Sequence, residues 1–336
     1  MAHEITERTD GTAEAAFALT PAWHGLGTVL DHPMTSAEAM TAAHLDWLVC
    51  QEPIFHQTDQ GYTEIPNMMA NIRSDNGLAL GVVSDRYKVI QNVEGFNFLD
   101  TLIENHEMTY ESAFSLRGGR QVVLLARLPQ EDEIVPEDKL QRYVILSLNH
   151  DGTGAVNFGP VSTRVVCSNT YAMAEREGSM RGLSIRHQGS IDDKLTEARR
   201  ILGLIQDEFN GYAAEAELLA RTPFDRLTFL EYLDILCPYL DERDPDYTPR
   251  RQSNIEDTRW KIRLAYENER QQTAPRTAWA AFNAVTEHID HLPRRGATRA
   301  QRAETRFNVC LAGPGRDMKR RAFEAAKRFI HPLLAK

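Results

Sequence analysis

Three groups of side chains in this sequence have types and spacings that could do chemistry. The first is Cys167 with His150 and Asp151. A cysteine becomes a nucleophile when a base takes its proton, and a carboxylate can orient that base. The same cysteine also reads as a small buried apolar residue. The second group is Glu287-His288-Ile289-Asp290-His291. On a helix, His288 with His291, or Glu287 with His291, would share a face. Metal binding there needs ligands from elsewhere, whereas histidines near a helix C-terminus also suit the helix dipole and ion pairing. The third group is basic. Arg316, Lys319, Arg320 and Lys327 recur at helical spacing, Arg259, Arg263 and Arg270 make a similar row, and Arg294, Arg295 and Arg299 fill the loop between helices. Such rows suit a phosphate backbone, and solvated surface faces look the same. Trp260, Tyr266, Trp279 and Phe307 lie among them, placed to stack on bases or to fill a core. Arg117 and Arg120 flank Gly118-Gly119, a basic hairpin tip.

Other signatures are lacking. Gly25-Leu26-Gly27 is half a dinucleotide fingerprint without the preceding strand or third glycine. Trp23 and His24 beside it are expected to anchor an N-terminal arm. There is no GxxxxGK[ST] loop, HExxH or GxSxG. No cofactor, metal site or catalytic residue is expected.

The elements that must position these groups follow from periodicity and turn chemistry. Residues 1–20 read as a loose arm. Thr35 or Ser36 can cap a helix with Ala39, Met40, Ala43 and Trp47 on its apolar face. Strands are expected at Tyr62–Ile65, Met68–Arg73, Leu78–Val83 and Tyr87–Ile90, then a helix capped by Asn92. Met108–Leu128 is the clearest hairpin, because Gly118 and Gly119 supply the positive φ of its turn. Its second strand, from Gln121, is nearly all apolar and should be central. Tyr143–Leu148 and Val156–Val166 form a second pair around His150-Asp151-Gly152. After Cys167 the pattern turns helical from Ser168 or Asn169, with a short strand near Leu183–Arg186. Ser190 caps a long helix, and another covers Phe224–Leu236. Asp241 to Pro249, charged and with two prolines, is the best linker. Helices follow at Ile255–Arg270, from Pro275, at Arg299–Leu311 and around Met318–Phe329, the second with the stripe Ala278, Phe282, Val285 and Ile289. The fold class is α+β, an antiparallel hairpin-rich sheet with packed helices followed by a helical C-terminal third. The organisation is an arm (1–20), a strand-rich body (21–189), a helical extension (190–240), a linker (241–249) and a basic helical domain (250–336).

The totals fit that division. A chain of 336 residues with 42% hydrophobic and 26% charged residues is ordinary globular composition with room for about two domains. No apolar run approaches the roughly 20 residues of a membrane span. The first residues, MAHEITERTD, lack the apolar core of a secretory signal. Cys50, Cys167, Cys237 and Cys310 form no close-spaced pair, so reduced thiols in a cytoplasm are expected. The net charge of −10 conceals an asymmetry. Residues 249–336 hold 19 Lys plus Arg against 9 Asp plus Glu, a net of +10, which leaves −20 on residues 1–248. The basic third could attract phosphates, or the two parts could neutralise each other.

Several segments together resemble a known family. They are Trp23 to Gly27, Arg86 to Asn92, Gly118 to Arg120, His150 to Gly152, Arg164-Val165-Val166-Cys167-Ser168-Asn169-Thr170, and Thr277 to Glu287 with Asp290-His291. In this order they are similar to the phage/plasmid-like protein family, also called the domain of unknown function 932 family. The resemblance runs from about residue 20 to the C-terminus, and Ala312-Gly313-Pro314-Gly315 departs from its pattern. It implies phages, plasmids and other mobile elements, hence a bacterial cytoplasm and a role in replication, recombination or host interaction. It carries over no catalytic residues. Arg164, Cys167 and Asn169 mark either a site or a strand-to-helix junction capped by Asn169. The function expected is a DNA-associated accessory protein binding single strands, in which an acidic chain would form a homo-oligomer to pool its basic faces. Two alternatives stand beside it: a module that binds a host protein through the acidic body, and an enzyme using Cys167 or the His288 region.

Overall fold

The computed structural model describes residues 5–19, 26–103, 108–152, 157–164, 169–172, 191–268, 273–291 and 314–330. They form two sheets and seven α-helices. The larger sheet contains β1 (Ala15–Ala18), β2 (Thr28–Leu30), β6 (Thr109–Leu116), β7 (Gln121–Val135), β8 (Asp138–Asn149), β9 (Asn157–Arg164) and β10 (Asn169–Ala172). Their order is β10-β9-β8-β7-β6-β1-β2, and only β1 and β2 run parallel. The class is α+β, with helices throughout the described C-terminal third.

The expected hairpin is the centre of this sheet. Arg117, Gly118 and Gly119 all have positive φ, so the turn needs its glycines. A side chain at Gly119 would also meet the Trp47 ring at 3.0 Å. Val122, Leu124, Ala126 and Leu128 of β7 alternate onto one face, together with Leu140, Val144, Leu146 and Leu148 of β8. Onto that face pack α1 (Ser36–Ala42), α2 (Asn92–Ile103) and α3 (Ile191–Arg221). Thr35 caps α1 in a capping box with Glu38, whose carboxyl the Thr35 backbone and hydroxyl bonds hold down to about 2. Ala15, Phe114, Leu116 and Val123 form a small cluster on the opposite face.

The second sheet, β3 (Val49–Thr58), β4 (Gly61–Arg73) and β5 (Ala79–Ser84), departs from expectation. β4 joins two expected strands across Asn67, which takes φ 61°. β5 pairs with β4 only from Met68 to Ile72, so Phe55 to Glu64 project as a two-stranded ribbon. Tyr87–Ile90 is not a strand. A turn bond from the Tyr87 N–H to the Ser84 carbonyl ends β5, and the Tyr87 hydroxyl reaches across to the Asn149 carbonyl at 2.9 Å. Asn92 does not cap α2 with its side chain. The Glu94 carboxylate accepts from the Gln91 N–H at 2.7 Å, while the Asn92 amide turns into the core.

The helices α4 (Arg226–Leu236), α5 (Pro249–Tyr266), α6 (Ala278–His291) and α7 (Pro314–Lys327) complete the described chain. Asp241 to Thr248 is a run of turns, and the Thr248 hydroxyl caps α5. Buried residues on both sides of it, such as Phe209, Leu233, Ile262 and Trp279, belong to the same apolar cluster as β7. The stripe Ala278, Phe282, Val285 and Ile289 is fully buried as its spacing required. The Thr277 hydroxyl, not Pro275, opens this helix by accepting from the Ala280 N–H. The junction after Cys167 also differs. Asn169 is not a helix cap but begins β10, paired opposite Arg164. A β-hairpin return satisfies the edge of β9, which a helix there would leave open. The expected Leu183–Arg186 strand and Arg299–Leu311 helix lie outside the described residues.

Candidate functional site

Arginine placement decides which cations can meet a ligand. Arg73 is 1% exposed. Its Nη1 donates to Glu14 Oε2 at 2.9 Å, its Nε to Asp75 Oδ1 at 2.7 Å, and its guanidinium lies 4.3 Å from the Trp47 ring centre. The second sheet is thereby tied to β1. Arg142 lies in the inward stripe of β8. Its Nε donates to Asp132 Oδ2 at 2.7 Å and its Nη2 to Asn210 Oδ1 at 3.0 Å, and it sits over the Phe209 ring, which ties α3 to the sheet. Neither arginine stood out in the sequence, because an isolated arginine in a strand carries no motif.

Several candidate cations are spent in the same way. Arg259 is 6% exposed, pairs with Asp234 at 2.7 Å and stacks on Tyr239 at 4.3 Å. Lys319 is 1% exposed and pairs with buried Asp290 at 2.5 Å. Neither can reach a polynucleotide from these positions. Lys327 is half-buried against Glu215 at 2.8 Å and Glu324 at 3.2 Å, and its ammonium is held above its usual pKa by those carboxylates against the desolvation that opposes them. Arg263 is exposed and 3.5 Å from Glu267. The hairpin tip is docked: Arg117 bonds Gln121 Oε1 and faces Asp151, and the Arg120 carbonyl accepts from the His150 N–H. Trp23, His24, Cys167, Arg270, Arg294 and Arg295 lie outside the described residues.

Of the candidate cations, Arg120 and Arg263 stay exposed, and a further group lies on α7. At 100° per residue its buried positions are Gly315, Lys319, Ala322, Phe323, Ala325 and Ala326. Arg320 and Arg321 point away from them, exposed Arg328 follows in the turn after the helix, and half-buried Arg316 flanks the buried face, with Asp317 and Glu324 on the outer side. Arg320 is 56% exposed and only 3.7 Å pairing to Asp317 holds it, while Arg321 donates to the Leu236 carbonyl. Residues 294–328 carry 11 Lys plus Arg against 3 Asp plus Glu, a net of +8.

A second constellation is buried. β10, which begins at Asn169, packs against α6 and α7, and α6 runs from Ala278, next to Trp279, to His291. Trp279 is fully buried and its Nε1 donates to Asp138 Oδ2 at 3.0 Å, which also accepts from Thr273 Oγ1 at 2.9 Å. Asn283, Thr286, Glu287 and Asp290 are buried along α6. Asn283 donates to the Trp279 carbonyl, Thr286 to the Asn283 carbonyl, and Asn268 reaches Glu287 at 3.5 Å. Their spacing of three and four was a legible signal, a polar stripe beside an apolar one. Among the described residues no three His, Cys, Asp or Glu side chains gather to hold a metal ion.

His150 is 1% exposed, and its Nε2 meets Asn92 Oδ1 at 2.9 Å. Because the Asn92 amide nitrogen donates to the Leu45 carbonyl, its oxygen is the acceptor, and His150 carries its proton on Nε2. Burial lowers its pKa to about 4, against the opposing pull of Asp151, so the imidazole is neutral. Trp47 packs edge-on at 5.5 Å, and the His150 carbonyl accepts from the Asn71 amide at 2.8 Å. These bonds make His150 a bolt between the two sheets. Gly81 serves the same joint, since a side chain there would meet the Asp151 carbonyl oxygen at 2.3 Å.

A family model, described as Domain of unknown function (DUF932), matches residues 79–310. The chain belongs to this family. The match runs from β5 through α6 and so contains Gly81, Asn92 and His150 of the sheet joint, the β9–β10 pair and the buried stripe, while Trp47, Asn71, the ribbon and α7 lie outside it. No curated protein and no solved structure matches the chain. No described helix is long and apolar enough to cross a membrane.

Proposed function

We propose that this DUF932 chain is a DNA-associated accessory protein of the mobile-element type, binding single-stranded DNA during replication or recombination in the bacterial cytoplasm. The reading rests on one observation: the outward arginines of α7, in a 35-residue stretch of net +8 within a chain of net −10. Concentrated positive charge on one face attracts phosphates locally even when the whole molecule is acidic. The contact surface is narrower than the sequence suggested, since Arg259 and Lys319 are internal and Lys327 is neutralised. Arg320 and Arg328, with half-buried Arg316 beside them, carry the contact, Arg321 being held by the Leu236 carbonyl, and Arg294 and Arg295 precede them in the chain.

Fluorescence anisotropy with a labelled oligonucleotide tests this reading. Affinity for single strands should fall linearly on a log–log plot against salt, with a slope of about −0.7 per phosphate contacted. No binding at low salt, or binding indifferent to salt, removes it. A second reading, docking of the acidic body on a protein, is favoured by a separate feature: the ribbon exposes Phe55 and Tyr62.

A further inference from the structure

One face of the ribbon combines aromatic and acidic side chains. Its register places Phe55 opposite Glu64 and Gln57 opposite Tyr62, so these four side chains share one face. Phe55 is 51% exposed and Tyr62 76% exposed, and a soluble chain seldom leaves two neighbouring aromatics so bare without a partner. From Gln51 to Ile72 the charged residues are Glu52, Asp59 and Glu64, with no Lys or Arg. Among the described residues, an aromatic ring beside a carboxylate holds a guanidinium three times. Arg73 lies between Glu14 and Trp47, Arg142 between Asp132 and Phe209, and Arg259 between Asp234 and Tyr239. Inside the molecule those sites are filled. On the ribbon the ring and the carboxylate face outward.

The same chain presents the complementary group. The outer face of α7 offers exposed Arg320, with half-buried Arg316 one turn before it and exposed Arg328 in the turn that follows the helix. We propose that the ribbon face of one copy binds the outer face of α7 in a second copy. Arginines of α7 would stack on Phe55 and Tyr62 and pair with Glu64. The two surfaces differ, so the contact is head-to-tail and builds rings or open chains, not an isologous dimer. A ribbon against one helix is smaller than the usual stable interface of about 1,600 Å² in total, so the contact is weak and sensitive to salt.

Sedimentation velocity of the full chain, without nucleic acid, tests this independently of the single-strand reading. At about 0.05 M salt the mean mass should rise with protein concentration, and at about 0.5 M it should fall to one chain, as screening of exposed charges requires. The variant Tyr62→Ser/Glu64→Lys and the variant Arg316→Glu/Arg320→Glu should each be monomeric at low salt. Mixed in equal amounts they should regain a two-chain species, because each supplies the half the other lacks. That recovery also shows that both variants fold. A monomeric wild type at low salt, self-association undiminished in either variant, or a mixture that stays monomeric overturns the proposal.

Discussion

Two groups of cations among the described residues invite comparison. Arg73, Arg142, Arg259 and Lys319 are buried at joints between elements, each on a carboxylate. Arg320 stands on the outside of α7, with half-buried Arg316 beside it and exposed Arg328 in the turn after it. The sequence shows both as the same letters at similar spacings. Their difference teaches that charge count measures attraction for a ligand only after the ion pairs spent on holding the fold have been removed.

The sharpest way to break the distinction is to remove a buried cation. Arg73→Met leaves Glu14 buried without its partner, and should lower unfolding free energy by about 3–5 kcal/mol in a urea titration. A loss within the surface range of about 0.5 kcal/mol would place Arg73 with the outer population. The joint's histidine gives a second handle. Folded His150 titrates near 4, below the ordinary 6.5, so below pH 6.5 the unfolded chain takes up a proton that the folded chain refuses. Its contribution to stability is complete above pH 6.5 and is lost as pH falls towards 4. About 2 kcal/mol should be gone by pH 5, and His150→Gln should flatten that part of the profile. Trp279→Phe should cost about 1 kcal/mol, because Asp138 keeps the Thr273 hydroxyl when the indole N–H is lost. Arg316→Gln with Arg320→Gln should move the urea midpoint least, by an amount worth less than about 0.5 kcal/mol.

Much of the framework was legible because local chemistry and burial agree there. Gly118-Gly119 and the apolar run of β7 define the central hairpin, Thr35 and Glu38 define the start of α1, and the α6 stripe is buried as its period demands. The ribbon was not legible as one unit, since strands exposed on both faces lose the alternation that marks a half-buried strand, and Pro53 and Pro66 mimic breaks. β10 was misread because Ser168-Asn169 resembles a helix start while edge pairing with β9 decides the outcome. The basic rows hid their buried members, Arg259 and Lys319, for a third reason. Helical spacing gives the angles between side chains but not which side faces the core, and α5 turns Trp260 and Leu264 outward while burying Arg259. Only Ile262 and Ala265 of its apolar residues are buried with Arg259, so the apolar pattern there does not single out the packed face. The buried Glu14–Arg73 pair spans 59 residues of sequence, and no local pattern could announce it.

The most direct measurement is the salt dependence of single-strand affinity for two double variants, Arg316→Gln/Arg320→Gln in α7 and Arg250→Gln/Arg263→Gln in α5. The expected result is a slope shallower by about 1.4 for the α7 variant, two phosphate contacts at about 0.7 each, and an unchanged slope for the α5 variant. Equal losses from both helices, or none from α7, would contradict the claim that the outward face of α7 is where this molecule keeps its usable positive charge.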